Sequence, residues 1–230
     1  MHCDIHRGLT SQNVIDTALA LSLKAIFSIF ETRIKEVLNA LKLLSVAQGT
    51  NPLMGRTRMQ AALPITVADR VATWALPVEN HLVRLVELTP RVLQLQCGGP
   101  VGLTKGPELA EKLNLQVPLK SWHTMSDGLG ELASWLSLVS GSLGKIGMDV
   151  SLMAQQGVDK INLEGGGSSS SMPHKQYSIL AEILVTLARF NAIQVSGVHH
   201  ALMHEQERSG AAWALEWMIY LGCFSQRDDH

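Results

Sequence analysis

From Leu9 to Gln48 the chain has neither glycine nor proline, and Gly8 and Gly49 bracket the run. Ile26, Phe30, Ile34, Val37, Leu41 and Leu44 recur at spacings of three or four, the period of an α-helix. Thr10 or Ser11 can cap its start through a side-chain oxygen. A helix of some 35 residues is about 50 Å long at 1.5 Å per residue. That length is outside the ordinary globular range, and it points to a long bundle or coiled coil.

The rest of the chain follows the same plan. Asn51-Pro52-Leu53-Met54-Gly55 breaks the first helix. A second helical region runs from after Pro64 to about Leu95, and Pro77 and Pro90 are expected to kink or interrupt it. Gly98 to Gly102 reads as a loop, and Pro107 opens a short helix ending near Leu115. Further helices are expected over 126–156, 178–204 and 208–221. No alternation marks a strand. Gly141, Gly144 and Gly147 either permit close helix contact or simply weaken their helix. The expectation is an all-α fold, with 1–222 as one long-helix domain and 223–230 as a frayed tail.

Composition narrows the function. A net charge of −1 over 230 residues gives no general case for nucleic acid or a membrane surface as partner. No uninterrupted apolar run approaches the roughly 20 residues of a membrane span. Met1-His2-Cys3-Asp4 does not read as a signal peptide. Cys3, Cys97 and Cys223 are scattered and odd in number, which fits a reducing cytoplasm.

Gly165-Gly166-Gly167-Ser168-Ser169-Ser170-Ser171-Met172-Pro173-His174-Lys175 has no periodicity. Its composition alone suits a linker. It also suits a loop that brings glycine backbone, hydroxyls and a lysine around an oxygen-rich anion. It is no P-loop, because no glycine directly precedes Lys175 and no Ser or Thr follows it. His200 and His204 have i, i+4 spacing with Glu205 beside them. Counted from His204, the fifth position of a His-Glu-x-x-His pattern is Arg208, so the zinc-protease pattern is absent.

Ser169 to Lys175 resembles the signature loop of the fumarase/aspartase superfamily, Ser-Ser-x-Met-Pro-x-Lys-x-Asn-Pro. His6-Arg7-Gly8-Leu9-Thr10-Ser11-Gln12-Asn13-Val14-Ile15-Asp16-Thr17-Ala18 is similar to its first marker, with Asn13 for an Asp. Gly55 to Pro64 is similar to its second, with Arg58 where many members have His. Leu95 to Leu103 resembles a Gly-Gly bend, and Trp122 to Asp127 a Trp-His-Thr-x-x-Asp element that usually continues with Arg, here Gly128. His204 to Ser209 and Trp213 to Trp217 resemble the cycloisomerase branch of the superfamily. Tyr177 and Ser178 stand where the superfamily has Asn and Pro, which leaves the loop less preorganised.

The resemblance implies long-helix subunits in a homotetramer, with each active site drawn from three subunits. It implies a small polycarboxylate substrate and no cofactor or metal. Its expected reaction is intramolecular carboxylate addition to a double bond, turning 3-carboxy-cis,cis-muconate into a carboxymuconolactone in the protocatechuate branch of aromatic catabolism. It places the acid/base group at Ser169 and substrate binding at Thr10, Ser11, Arg56, Gln60, Ser170, Lys175 and Arg208. An adenylosuccinate-type lyase, or an inactive truncated helical subunit, is the alternative.

Overall fold

The computed structural model describes residues 9–102, 106–163, 167–168, 171–172 and 175–224. It is dominated by helices: α1 (Ser11–Gln48), α2 (Val67–Val92), α3 (Pro107–Leu113), α4 (Asp127–Met153), α5 (Ile179–Ala201) and α6 (Ala211–Phe224). The fold is all-α, as the periodicity requires. Of the tail expected over 223–230, Cys223 and Phe224 close α6 instead, and 225–230 lie outside the described residues.

Helix α1 begins where the sequence places it. The Thr10 N–H and Oγ1 both donate to Asn13 Oδ1, at 2.9 and 3.2 Å. The Asn13 N–H reaches back to Thr10 O at 3.0 Å. This is the reciprocal logic of a capping box, with the acceptor side chain at the third helical position. Asn13 therefore does the accepting work of the Asp it replaces.

Between α1 and α2 the structure departs from the helical expectation. β1 (Pro52–Thr57) and β2 (Gln60–Thr66) form an antiparallel hairpin with Thr57 opposite Gln60. Arg58 (φ 48°) and Met59 (φ 67°) make its two-residue turn, in the left-handed geometry that matches strand twist. The strands are mostly exposed, so no face-alternating pattern was ever required of them. A second, two-residue ladder, β3 (Gly167–Ser168) with β4 (Gln176–Tyr177), clips the ends of the Gly/Ser stretch together. Tyr177 thus belongs to a ladder, and Ser178 Oγ lies 3.0 Å from Ser151 Oγ.

α2 also differs from expectation, because it is continuous through Pro77 and Pro90. Each proline removes one ladder bond. The buried side chains of Trp74, Val78, Leu85 and Leu88 hold the helix on both sides of the gaps. Ser209 Oγ accepts from the Ala212 N–H at 3.2 Å, so α6 starts after Arg208 rather than at it.

The described chain divides into two compact units, and α1, α2, α4 and α5 each contribute to both. The first comprises 1–32, 83–135 and 193–230. Leu23, Leu88, Leu95, Leu132 and Val198 are fully buried there. Phe30 and Trp135 meet at 5.5 Å between ring centroids, and the Tyr220 hydroxyl donates to Leu129 O at 2.6 Å.

The second unit comprises 33–82 and 136–192. Leu41, Val71 and Trp74 centre its core, with Ile146, Val150 and Met153 packed against them. Asp149 there accepts from Trp74 Nε1 (2.7 Å), Arg70 (3.2 Å) and Lys145. Burial alone would raise its pKa. The bonds from Lys145 and Trp74, with the charges of Lys145 and Arg70, hold it below the usual value instead.

α1 and α5 have the length and composition of a membrane span, contrary to the reading by uninterrupted runs. Short polar interruptions lower such runs without lowering the average. Little of the apolar window of α5 is buried, and Leu180 and Ile193 are exposed.

The glycines of α4 separate cleanly. A Cβ on Gly144 would stand 2.5 Å from Ala188 Cβ, and one on Gly147 2.5 Å from Ala181 O, both on α5. A Cβ on Gly141 would meet nothing within 4 Å. Gly141→Ala is therefore expected to stabilise by about 0.5–1 kcal/mol, the helix-propensity difference. Gly144→Ala and Gly147→Ala are expected to destabilise by roughly 1–3 kcal/mol through overpacking. Thermal melts of the three variants check this, and equal shifts at all three positions would contradict close α4–α5 packing.

Candidate active site

Five of the motif stretches meet in the first unit. Gln12, Asn13, Asp16 and Thr17 of α1, Gln96, Ser121, His123, Ser126, Ser209 and Glu216 are all buried there. Buried polar groups need partners, and here each stretch supplies another's. Thr17 Oγ1 donates to Gln96 O at 2.9 Å. Gln12 Nε2 donates to His123 O at 3.1 Å, and Ser121 Oγ lies 2.9 Å from His123 Nδ1. His123 Nε2 sits 2.6 Å from Glu207 O. Arg208 donates from Nη1 to Gln12 Oε1 at 2.9 Å and from Nη2 to Gly99 O at 3.1 Å.

A second branch runs to α6. Trp213 Nε1 donates to Asp16 Oδ1 at 3.1 Å. His204 Nε2 lies 3.2 Å from Glu216 Oε1 and 3.1 Å from Ser126 Oγ. This engagement pairs His204 with a buried carboxylate. Trp217 packs edge-on against Trp213, with centroids 6.5 Å apart.

Glycines make the close approaches possible. A Cβ on Gly98 would lie 2.2 Å from Ser121 Oγ, and one on Gly128 2.9 Å from Arg91 O. The second contact gives a physical reason for glycine where the resemblance expects arginine.

The electrostatics are uneven. Arg208 is exposed, and both its bonds go to neutral acceptors, so among the described residues no carboxylate neutralises it. Burial, and then the positive charges of Arg208 and Lys120, push His123 below its ordinary pKa against the bond to Glu207. Burial pushes Asp16 up to about 6, assisted by the nearby Glu216 and opposed by the bond from Trp213 and the neighbouring amides of Gln12 and Gln96. Asp16 Oδ2, Asn13 Nδ2 and Gln96 Nε2 are buried without a hydrogen-bond partner. The arrangement can receive an anion: α1 presents first-turn N–H groups at Ser11 and Gln12, and Arg208 is tethered to the same turn through Gln12.

The expected site residues fall into two sets. Thr10, Ser11 and Arg208 belong to the first unit. Arg56, Gln60 and Lys175 belong to the second. There Arg56 Nη1 folds back to Met59 O at 3.3 Å, Gln60 closes the hairpin, and the Lys175 N–H donates to Met172 O at 3.0 Å. Ser169 and Ser170 lie outside the described residues. Sequence reasoning named none of Gln12, Asp16, Gln96 or His123 as site residues. Only Gln96 carried a signal, as a polar residue between Leu95 and Cys97 inside a motif segment.

Comparison with known proteins places the chain. A family model described as a lyase matches residues 1–197. The chain belongs to that lyase family. It is 37% identical over 225 residues to a 3-carboxy-cis,cis-muconate cycloisomerase of Pseudomonas aeruginosa, covering 93% of this chain and 49% of the relative. The corresponding protein of Acinetobacter baylyi is 31% identical, with 93% and 50% covered. Among solved structures, the 3-carboxy-cis,cis-muconate lactonizing enzyme of Pseudomonas putida superposes with a TM-score of 0.85 at 36% identity, covering 95% of this chain and 50% of that one. A fumarate lyase from Mesorhizobium sp. BNC1 gives 0.85 at 33% identity, covering 96% and 52%. The resemblance to the fumarase/aspartase superfamily and its cycloisomerase branch is thereby established. The chain spans about half the length of the curated relatives it matches.

Asp16 gives the site a pH signature. Its folded pKa of about 6 lies above its ordinary 3.8. The folded state therefore favours the protonated acid. That contribution is whole below about pH 4, fades between 4 and 6, and is gone above. Its size is roughly 3 kcal/mol. Asp16→Asn keeps an acceptor for Trp213 without the charge. The melting temperature of Asp16→Asn, taken relative to the unsubstituted chain, is expected to rise by several degrees from pH 4 to pH 7. A difference independent of pH would refute the buried acid.

Proposed function

We propose that the protein acts as a 3-carboxy-cis,cis-muconate cycloisomerase in the cytoplasm, within the protocatechuate branch of aromatic catabolism. The observation that carries this reading is the union of the Arg208 turn and the α1 N-terminus, a positive site without a carboxylate partner among the described residues, built from stretches that match cycloisomerases. A substrate with three carboxylates needs several such cations, because a buried unpaired carboxylate is costly.

In the reaction, one substrate carboxylate oxygen forms a C–O bond to a double-bond carbon. The π pair moves to the neighbouring carbon, where the adjacent carboxylate takes up the charge as an aci-carboxylate. Protonation of that carbon completes the lactone. Ser169 is the assigned proton donor, recharged from solvent, and Lys175 stabilises the developing charge. Thr10, Ser11, Arg56, Gln60, Ser170 and Arg208 hold the remaining oxygens.

Residues 1–222 supply the long-helix domain of a homotetramer, and sites are completed between copies. Two features support that assembly. The assigned residues are divided between two units of the chain. The exposed apolar face of α5 needs cover.

Loss of diene absorbance on mixing 3-carboxy-cis,cis-muconate with the purified protein tests the activity. Ser169→Ala is expected to lower turnover at least about 100-fold, the scale of a positioned acid/base group, with a smaller change in KM. Near-normal turnover in that variant moves the role elsewhere. Light scattering is expected to show a tetramer, and a stable monomer at micromolar concentration argues against shared sites.

A further inference from the structure

We propose that Gln12 is a positioning residue, which fixes the guanidinium of Arg208 against the first turn of α1 without neutralising it. Gln12 is 3% exposed, and both ends of its amide are used. The His123 carbonyl can only accept, so Nε2 must face it. That orientation turns Oε1 toward Arg208, whose guanidinium can only donate.

The bonds close on themselves. Gln12 holds the backbone of His123, the ring of His123 holds the backbone of Glu207, and the next residue, Arg208, returns to Gln12. The second guanidinium bond, to Gly99 O, removes the remaining rotation. Three separate stretches of chain are thereby locked to the α1 N-terminus.

The chemistry selects glutamine. Glutamate would keep the acceptor for Arg208, but it would cancel the positive charge and turn an oxygen toward the His123 carbonyl. Leucine would release Arg208 and leave the His123 carbonyl unpaired. Only a neutral amide donates on one side, accepts on the other and leaves the cation unspent. Gln12 touches no reacting atom in this arrangement. It acts through Arg208, and its kinetic part rests on the activity proposed above.

Two readouts separate the two ideas. The first is the rotation of the Arg208 guanidinium, followed by nitrogen NMR on labelled protein and assigned by the loss of its signals in Arg208→Lys. Slow rotation with resolved terminal nitrogens is expected in the unsubstituted chain, collapse in Gln12→Leu, and retained slow rotation in Gln12→Glu. The second is turnover of 3-carboxy-cis,cis-muconate. Both Gln12→Leu and Gln12→Glu are expected to raise KM about tenfold or more, the scale of one charge-assisted bond, with kcat changed much less.

Free rotation in the unsubstituted chain, or restricted rotation in Gln12→Leu, overturns the proposal. A Gln12→Glu variant with normal KM overturns the argument for a neutral amide. Should Gln12→Leu fail to fold, the unsubstituted chain and Gln12→Glu still decide. Slow rotation in a protein without turnover supports the clamp and overturns the activity instead.

Discussion

Pairing of buried polar groups is the constraint on which the first unit rests. An unmatched buried donor or acceptor costs about 1–3 kcal/mol, so a cluster as large as that around Gln12, His123 and Glu216 is tolerable only if its members satisfy one another. Each partner here comes from a different stretch of chain. The network therefore specifies the arrangement more sharply than apolar packing could. A slipped helix still buries leucines; it does not leave Gln12 between His123 O and Arg208.

The few groups left over are as informative as the pairs. Asn13 accepts twice through Oδ1 for the cap, which leaves its Nδ2 unmatched. An aspartate there would carry a second acceptor in place of that donor, and it would add a negative charge to the turn that holds Arg208. Gly128 likewise shows a departure with a local cause, since a side chain would collide with Arg91 O. Such replacements are adjustments of packing and charge around an unchanged arrangement of helices.

The long helices were legible because periodicity is a local property: spacing along α1 alone demanded a helix of its length. The hairpin was not, because its strands are exposed and carry no face to mark in sequence. Continuity of α2 through Pro77 and Pro90 was hidden for a different reason. The cost of proline is local, whereas the packing of Trp74 and Leu88 that offsets it is tertiary. In the site, Thr10, Ser11 and Arg208 could be named from motif likeness. Gln12 and Asp16 could not, since their roles depend on partners far away in the chain, such as Arg208 and Trp213.

Two aspartates, Asp149 half-buried and Asp16 buried, show how the chain assigns charge. Asp149 is surrounded by Arg70, Lys145 and the Trp74 indole, which hold its pKa below the ordinary value. That cluster consumes its own cations and holds α2 to α4. Asp16 accepts from the Trp213 indole, with buried surroundings and Glu216 close by, so its proton is retained to about pH 6. Among the described residues no cation pairs with it, although Arg208 is linked to the same helical turn through Gln12. The Asp149 cluster closes its electrostatics internally and joins two helices. Around Asp16, Arg208 meets only neutral acceptors among the described residues, so its charge stays available there.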